Sequence, residues 1–442
     1  MAIDKKQNAV KLGGGAERWK YRSVYDAMGT VGFDPSEAGS EWVLVATDLH
    51  CYYEGGSEVA GDFDQRIHDE CAKMSSSPPD RCAILGDVLT GLVGSYGAPA
   101  DTVDGTLEVA AANKGMLAFT NLATTHFVLG NHDTPPNESP LGDFIATNLT
   151  AFTSLNHSFD VGGVKFVLIS DDHDAGWQNG QGAYLTTQLQ SLNSTQECVI
   201  GMHHYGGGRA YDHRGYFALV DAVPSGLTNP LWQISGHDHK FQQSSCHAVG
   251  STDIARQKIG AGGGAWLTFG ADKLAMMAML CRDGKVVGRL AWYGDTQEWS
   301  VLEDFDRSSP ESTPSQFDGL ANETVLATYN EGDYDRTGKL SSYPSPPIGE
   351  YRVAGTWLAY VYNLTVNFPI PSGATKFWMI VTAPSTTIEM SDDGSTWQAV
   401  TIPALVDSAL ILDIPVGLQS SNDLYVRLTG GGRHISAWGF AQ

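Results

Sequence analysis

Six short runs of apolar residues, many of them β-branched or aromatic, punctuate the first part of this 442-residue chain, at 42–46, 83–85, 126–129, 165–169, 198–200 and 231–234. Apolar runs without alternation fit strands that are covered on both faces. Between them lie helix-compatible stretches at 64–74, 106–122 and 185–192. This alternation predicts an α/β layered domain. Further runs at 266–269, 274–280 and 286–292, the last two separated by an Asp283-Gly284 turn, would extend or close a sheet.

Five of the first six runs end alike. They lead into Thr47-Asp48-Leu49-His50, Gly86-Asp87, Gly130-Asn131-His132-Asp133, Gly201-Met202-His203-His204 and Gly236-His237-Asp238-His239. Open α/β sheets collect ligands at the carboxyl ends of their strands, so the five tips can converge on one crevice. Two divalent ions roughly 3.5–4 Å apart need a shared carboxylate plus separate imidazole, carboxylate and carbonyl donors, which are the residue types found at these tips. Asp48 and His50, two apart, share a side if the segment is extended, and so do His237 and His239. The glycines at 86, 130 and 236 would let the backbone turn tightly before the ligands.

The remaining sequence divides at a polar, Pro/Ser-rich stretch, 304–319, which reads as a linker. Beyond it, short strands without helices at 357–366, 376–381, 386–390, 410–414, 423–428 and 434–440 predict a β-sandwich or jelly roll, residues 320–442. Residues 1–40, with Gly13-Gly14-Gly15, read as a polar arm before a first domain at 41–303. Only His434 of the 13 histidines lies beyond position 247, which places any metal chemistry in that first domain.

Composition sets limits on partners. Fifty acidic against 27 basic residues leave a net charge of −23, which disfavours a long nucleic-acid groove or an anionic membrane surface. A small anionic substrate remains compatible if bound metal reverses the local potential. There is neither a transmembrane run nor a secretory signal, so the expected location is cytoplasmic by default, with a phage particle or a signal-less surface as the alternative. The six cysteines contain no C-x-x-C pair and read as buried free thiols.

The ordered blocks D-x-H, G-D, G-N-H-D, H after a strand, and G-H-x-H resemble the calcineurin-like metallophosphoesterases over residues 41–300. The resemblance implies a four-layer αββα sandwich with a dinuclear centre of Mn, Fe or Zn. It implies one metal held by Asp48, His50, Asp87 and His239, and a second held by Asp87, Asn131, His203 and His237, with Asp87 as the bridge. A water or hydroxide activated by the metals would be the nucleophile. His132 would stabilise the phosphoryl charge and protonate the leaving oxygen, while Asp133 orients its ring.

Purple acid phosphatases have a glycine at the position of His50 and a metal-binding tyrosine at that of Thr90. The His50 form is instead similar to the phosphodiesterase and nuclease branches, which favours a small phosphodiester substrate with a phosphomonoester as the alternative. Arg209, after Gly206-Gly207-Gly208, could clamp a phosphate oxygen or sit on a plain surface loop. His204 could serve substrate or hydrogen-bond locally. The C-terminal tryptophans 357, 378, 397 and 438 leave open a further alternative, a virion or surface protein whose sandwich binds a glycan or a protein partner and whose phosphoesterase activity is accessory.

Overall fold

A computed structural model describes residues 20–51, 53–54, 57–58, 61–89, 103–130, 133, 149, 153–170, 181–203, 219–220, 222–237, 242–259, 275–294, 296–302, 305, 307–308, 310–312, 320, 322–330, 363–381, 387–404, 409–429 and 435–442. The chain forms two compact units, the first from residues up to 313 and the second chiefly from 314–442.

Strands of the first unit are β1 (Lys20–Tyr21), β2 (Ser40–Ala46), β3 (Tyr53–Glu54), β4 (Ser57–Glu58), β5 (Arg81–Leu85), β6 (Thr125–Val128), β7 (Asn156–Val161) and β8 (Val164–Ile169). They continue with β9 (Cys198–Met202), β10 (Leu231–Ser235), β11 (Gln242–Val249), β12 (Thr252–Lys258), β13 (Ala275–Arg282), β14 (Lys285–Tyr293), β15 (Glu298–Val301) and β16 (Glu311–Ser312). Its helices are α1 (Val24–Thr30), α2 (Gly61–Lys73), α3 (Val103–Thr120) and α4 (Gln181–Gln190).

Among the described residues these strands form two seven-stranded sheets, ordered β1-β15-β14-β13-β2-β5-β6 and β16-β11-β12-β10-β9-β8-β7. In the first, β2, β5 and β6 run parallel. In the second, β8, β9, β10 and β12 run parallel.

Alternation along β2 shows why its sequence is apolar throughout. Val43 and Val45 face Phe166 and Leu168 of the second sheet in one core. Trp42, Leu44 and Ala46 turn the other way into a core shared with Val24 and Met28 of α1, Ile67 of α2 and Phe119 of α3. α4 buries Leu185 and Leu189 and contacts β8 of the second sheet. The unit is therefore a four-layer αββα sandwich.

Two expectations from composition are corrected here. Residues 20–40 are not an arm. β1 pairs with β15, α1 is capped by Ser23 Oγ accepting from the Tyr25 amide, and Val24, Ala27, Met28 and Phe33 are buried. Polar residues hid a helix whose apolar positions are few but fall on one face. The described part of 304–319 is not a free linker either. Phe305 packs on the inter-sheet core, the Arg307 guanidinium lies 4.6 Å from the Trp232 ring centre and pairs with Asp253, and β16 extends the second sheet at β11.

The second unit contains β17 (Val325–Asn330), β18 (Asn363–Pro369), β19 (Lys376–Val381), β20 (Thr387–Ser391), β21 (Gln398–Ala399), β22 (Ala409–Asp413), β23 (Asp423–Thr429) and β24 (Ile435–Ala441). Among the described residues they make two four-stranded sheets, β17-β24-β19-β22 and β18-β23-β20-β21. Phe377, Leu412 and Phe440 of one sheet meet Ile388, Met390, Leu424 and Val426 of the other in a single core, so this unit is an all-β sandwich. Trp378 is fully buried, which removes it from any surface role, whereas half-buried Trp397 lies under Arg427 at 4.2 Å. Trp357 and the side chain of Trp438 lie outside the described residues.

Candidate metal centre

The carboxyl ends of β2, β5 and β6 in one sheet and of β8, β9 and β10 in the other deliver Asp48, Asp87, Asp133, Ser170, His203 and His237. Two sets of donors gather there, Asp48 with His50 and Asp87, and Asp87 with His203 and His237. Within each set the ligand atoms lie within 4.8 Å of one another, and Asp87 belongs to both. His203 Nε2 is 3.0 Å from Asp87 Oδ2 and 3.9 Å from Asp48 Oδ1. His50 Nε2 is 3.8 Å from Asp48 Oδ1 and 3.9 Å from Asp87 Oδ2. The His203 and His237 rings meet edge-on at 5.2 Å.

Backbone groups fix the orientation of these rings. His50 Nδ1 donates to the Leu89 carbonyl at 3.1 Å and His203 Nδ1 to the Leu85 carbonyl at 2.8 Å. A carbonyl only accepts, so each Nδ1 carries a proton and each Nε2 faces the carboxylates, as metal-binding imidazoles require. The Asp48 carboxylate accepts the His237 amide at 2.9 Å, and the Thr47 hydroxyl lies 2.9 Å from Asp48 Oδ2.

The local backbone departs from the extended geometry expected for D-x-H. Asp48, His50, Asp87 and His237 have φ of 52°, 42°, 53° and 70°, so left-handed kinks at the candidate ligands themselves, not an extended alternation, turn these side chains inward. Such conformations cost of order 1–3 kcal/mol each and persist where surrounding bonds over-determine them. Gly86, at φ 82°, does have the expected left-handed turn, and a Cβ there would stand 2.5 Å from the Gly130 nitrogen. Gly236 has no positive φ; its place is set by space, since a Cβ would overlap Thr47 Oγ1 and the Asp48 carboxylate.

Asp133 is fully buried and binds backbone. Its Oδ2 accepts the amides of Asp87 at 2.6 Å and Gly130 at 2.9 Å, and its Oδ1 accepts that of Leu89 at 2.9 Å. Burial and the neighbouring Asp87 charge push its carboxyl up to about 7, against the pull of these amides. The His132 ring it was expected to orient lies outside the described residues, as do Thr90, Asn131, His204, Arg209 and His239. Sequence reasoning passed over Ser170, at the tip of β8, and Thr47, because neither is an ordinary ligand for these metals.

The donor set fits divalent cations. Burial opposes charge on His203, yet the Asp87 and Asp48 carboxylates overcome it and raise the ring to about 10. The protein alone thus answers its two buried carboxylates with a proton, and a metal ion would supply that positive charge instead.

No family model matches the chain, and no curated protein does. Solved structures similar to it include a dimetal phosphatase from Danio rerio, at 12% identity and TM-score 0.37, with 60% of this chain and 99% of the other covered. A purple acid phosphatase from yellow lupin seeds aligns at 13% identity and TM-score 0.40, covering 64% of this chain and 57% of the other. A 5'-nucleotidase from Candida albicans aligns at 11% and 0.33, covering 58% and 51%. Likeness at these scores carries no assignment by itself.

Proposed function

We propose that the first unit is a dinuclear metal-dependent phosphoesterase of the calcineurin-like kind, acting on a small phosphodiester. The observation that carries this is the pair of buried Asp/His sets sharing Asp87 at the carboxyl ends of parallel strands from both sheets. Asp48, His50 and Asp87 would hold one ion with His239, and Asp87, His203 and His237 a second with Asn131. Two bound divalent ions supply Lewis-acid polarisation of a phosphoryl oxygen and an acidified water. Around them, His50 and His203 would present Nε2 to the ions, each ring held at Nδ1 by a backbone carbonyl. Asp133 fixes the Asp87 and Gly130 backbone, and His132 gives a proton to the leaving oxygen. Arg209 and His204 would contact the substrate phosphate.

The preference for a diester rests on His50, whose place after Asp48 is similar to the pattern of the phosphodiesterase and nuclease branches. For the C-terminal sandwich we propose a partner-binding role for a glycan or a protein, supported by the half-exposed Trp397–Arg427 pair. Among the described residues no helix is long and apolar enough to cross a membrane.

The test is the initial hydrolysis rate of a chromogenic phosphodiester and its monoester by metal-free protein reloaded with Mn²⁺, with Asp87→Ala as control. The proposal expects diester turnover that the substitution abolishes. Faster monoester turnover would move the assignment to a phosphatase, and activity surviving Asp87→Ala would end the dinuclear reading.

A further inference from the structure

We infer that Ser170 and Gln181 form a clamp that positions the chain entering Asn131 and His132, and so sets the affinity of the second metal position. This rests on the proposed dinuclear reading, but concerns residues that the ligand pattern does not include. Ser170 ends β8, beside the last pair of the β8–β9 ladder, Ile169 with Met202, and so stands level with His203. It is fully buried, and its Oγ accepts the amide of Leu129 at 2.9 Å. Leu129 belongs to the other sheet's β6 tip and directly precedes Gly130-Asn131-His132 in the chain. One hydroxyl therefore ties the exit of β6 in the first sheet to the exit of β8 in the second.

Ser170 is itself held on both sides of its backbone. Its amide donates to the Leu155 carbonyl at 2.9 Å, and its carbonyl accepts from Gln181 Nε2 at 2.6 Å. Gln181 is the first residue of α4 and is 2% exposed, so the helix is tied to the same strand end. The next amide along, Gly130, is held by Asp133 Oδ2. The two consecutive amides that precede Asn131 in the chain are thus fixed by two different side chains. Asp48 and His50 follow β2, two strands from β6 in the first sheet, whereas Leu129 and Gly130 lead directly into Asn131, so loosening the clamp acts on the second position. Ser170 and Gln181 are positioning residues, acting through the backbone before Asn131.

The experiment titrates Mn²⁺ into metal-free parent, Ser170→Ala, Ser170→Thr and Gln181→Met proteins by calorimetry and by the electron paramagnetic resonance signal of free Mn²⁺, with diester kinetics in parallel. The clamp predicts that Ser170→Ala keeps the first affinity and weakens the second by about 10–100-fold, the range typical of partners behind the ligands. It also predicts a fall in kcat with KM little changed, partial recovery in Ser170→Thr, which retains the acceptor, and a smaller loss in Gln181→Met, which leaves the hydroxyl in place. Equal weakening of both ions would show a general structural role and overturn the inference. So would two unchanged affinities, or a parent that binds one ion. A parent that binds two ions but hydrolyses neither ester would end the functional proposal, while the metal affinities still judge the clamp.

Discussion

Loading metal into this centre should expel a proton from His203, and the amount can be worked out from the site. An imidazole of ordinary pKa near 6.5 is only about 3% protonated at about pH 8, so a plain histidine ligand would release almost nothing there. His203 has been raised to about 10 by the Asp87 and Asp48 carboxylates, against its burial. It is therefore almost fully protonated at about pH 8, and must lose close to one proton before Nε2 can bind metal. The cost of that proton is roughly 3 kcal/mol at about pH 8, and it grows about tenfold in affinity for each unit of acidification.

Calorimetric titration of Mn²⁺ in two buffers of different ionisation enthalpy measures the protons released per ion. Working near pH 8.5 keeps the Asp133 carboxyl, raised to about 7, out of the count because it is already ionised. The expected result is about one proton released for one of the two ions, lost in His203→Gln. Release of nearly none, or an affinity that does not change between about pH 7 and 9, would refute the electrostatic reasoning about this site.

Three further outcomes follow from single contacts. Asp133→Ala should strand three buried amides and destabilise the protein by roughly 3–6 kcal/mol, whereas Asp133→Asn, which can still accept with one oxygen, should cost roughly half as much; chemical denaturation measures both. Gly236→Ala should cost about 1–3 kcal/mol and weaken metal binding, because its Cβ must displace Thr47 or Asp48; a Mn²⁺ titration beside a thermal melt separates the two effects. His126 is lowered to about 4 by burial, by His157 and by Arg81, so it stays neutral in the fold while the unfolded ring charges near 6.5. Protons then favour the unfolded chain, and stability should fall as the pH drops from about 6.5 to 4. In His126→Phe, which keeps the stack on Phe159, that part of the acid sensitivity should vanish from the pH dependence of the melting temperature.

Where a segment meets core on two sides, its sequence showed it plainly. β2, β5, β8, β9 and β10 are buried along nearly their whole length, so their runs stood out, and the candidate ligands stood out with them because they follow the runs closely. Elements stabilised by a few contacts were hidden. α1 has seven residues and β16 two, and their environments come from partners far along the chain, β14 and β15 for the helix and β11 for the strand. β17 (Val325–Asn330) was missed because Thr328 and Asn330 interrupt its apolar character, though it pairs with β24 along its length. In the metal centre, residue types were readable but backbone was not. Nothing in the sequence marks Asp48, His50, Asp87 or His237 for left-handed φ, since only a few per cent of non-glycine residues adopt it. Ser170 escaped notice for the opposite reason: its chemistry is ordinary, and only the approach of β6 to β8 gives it a partner.

Whether Asp87 is shared by two metal ions can be read from a crystal of the Mn²⁺-loaded protein, with anomalous scattering measured at the manganese edge. Two anomalous peaks roughly 3.5–4 Å apart are expected, the spacing typical of two-metal sites, with the Asp87 carboxylate touching both. A single peak, or two peaks of which only one contacts Asp87, would contradict that sharing.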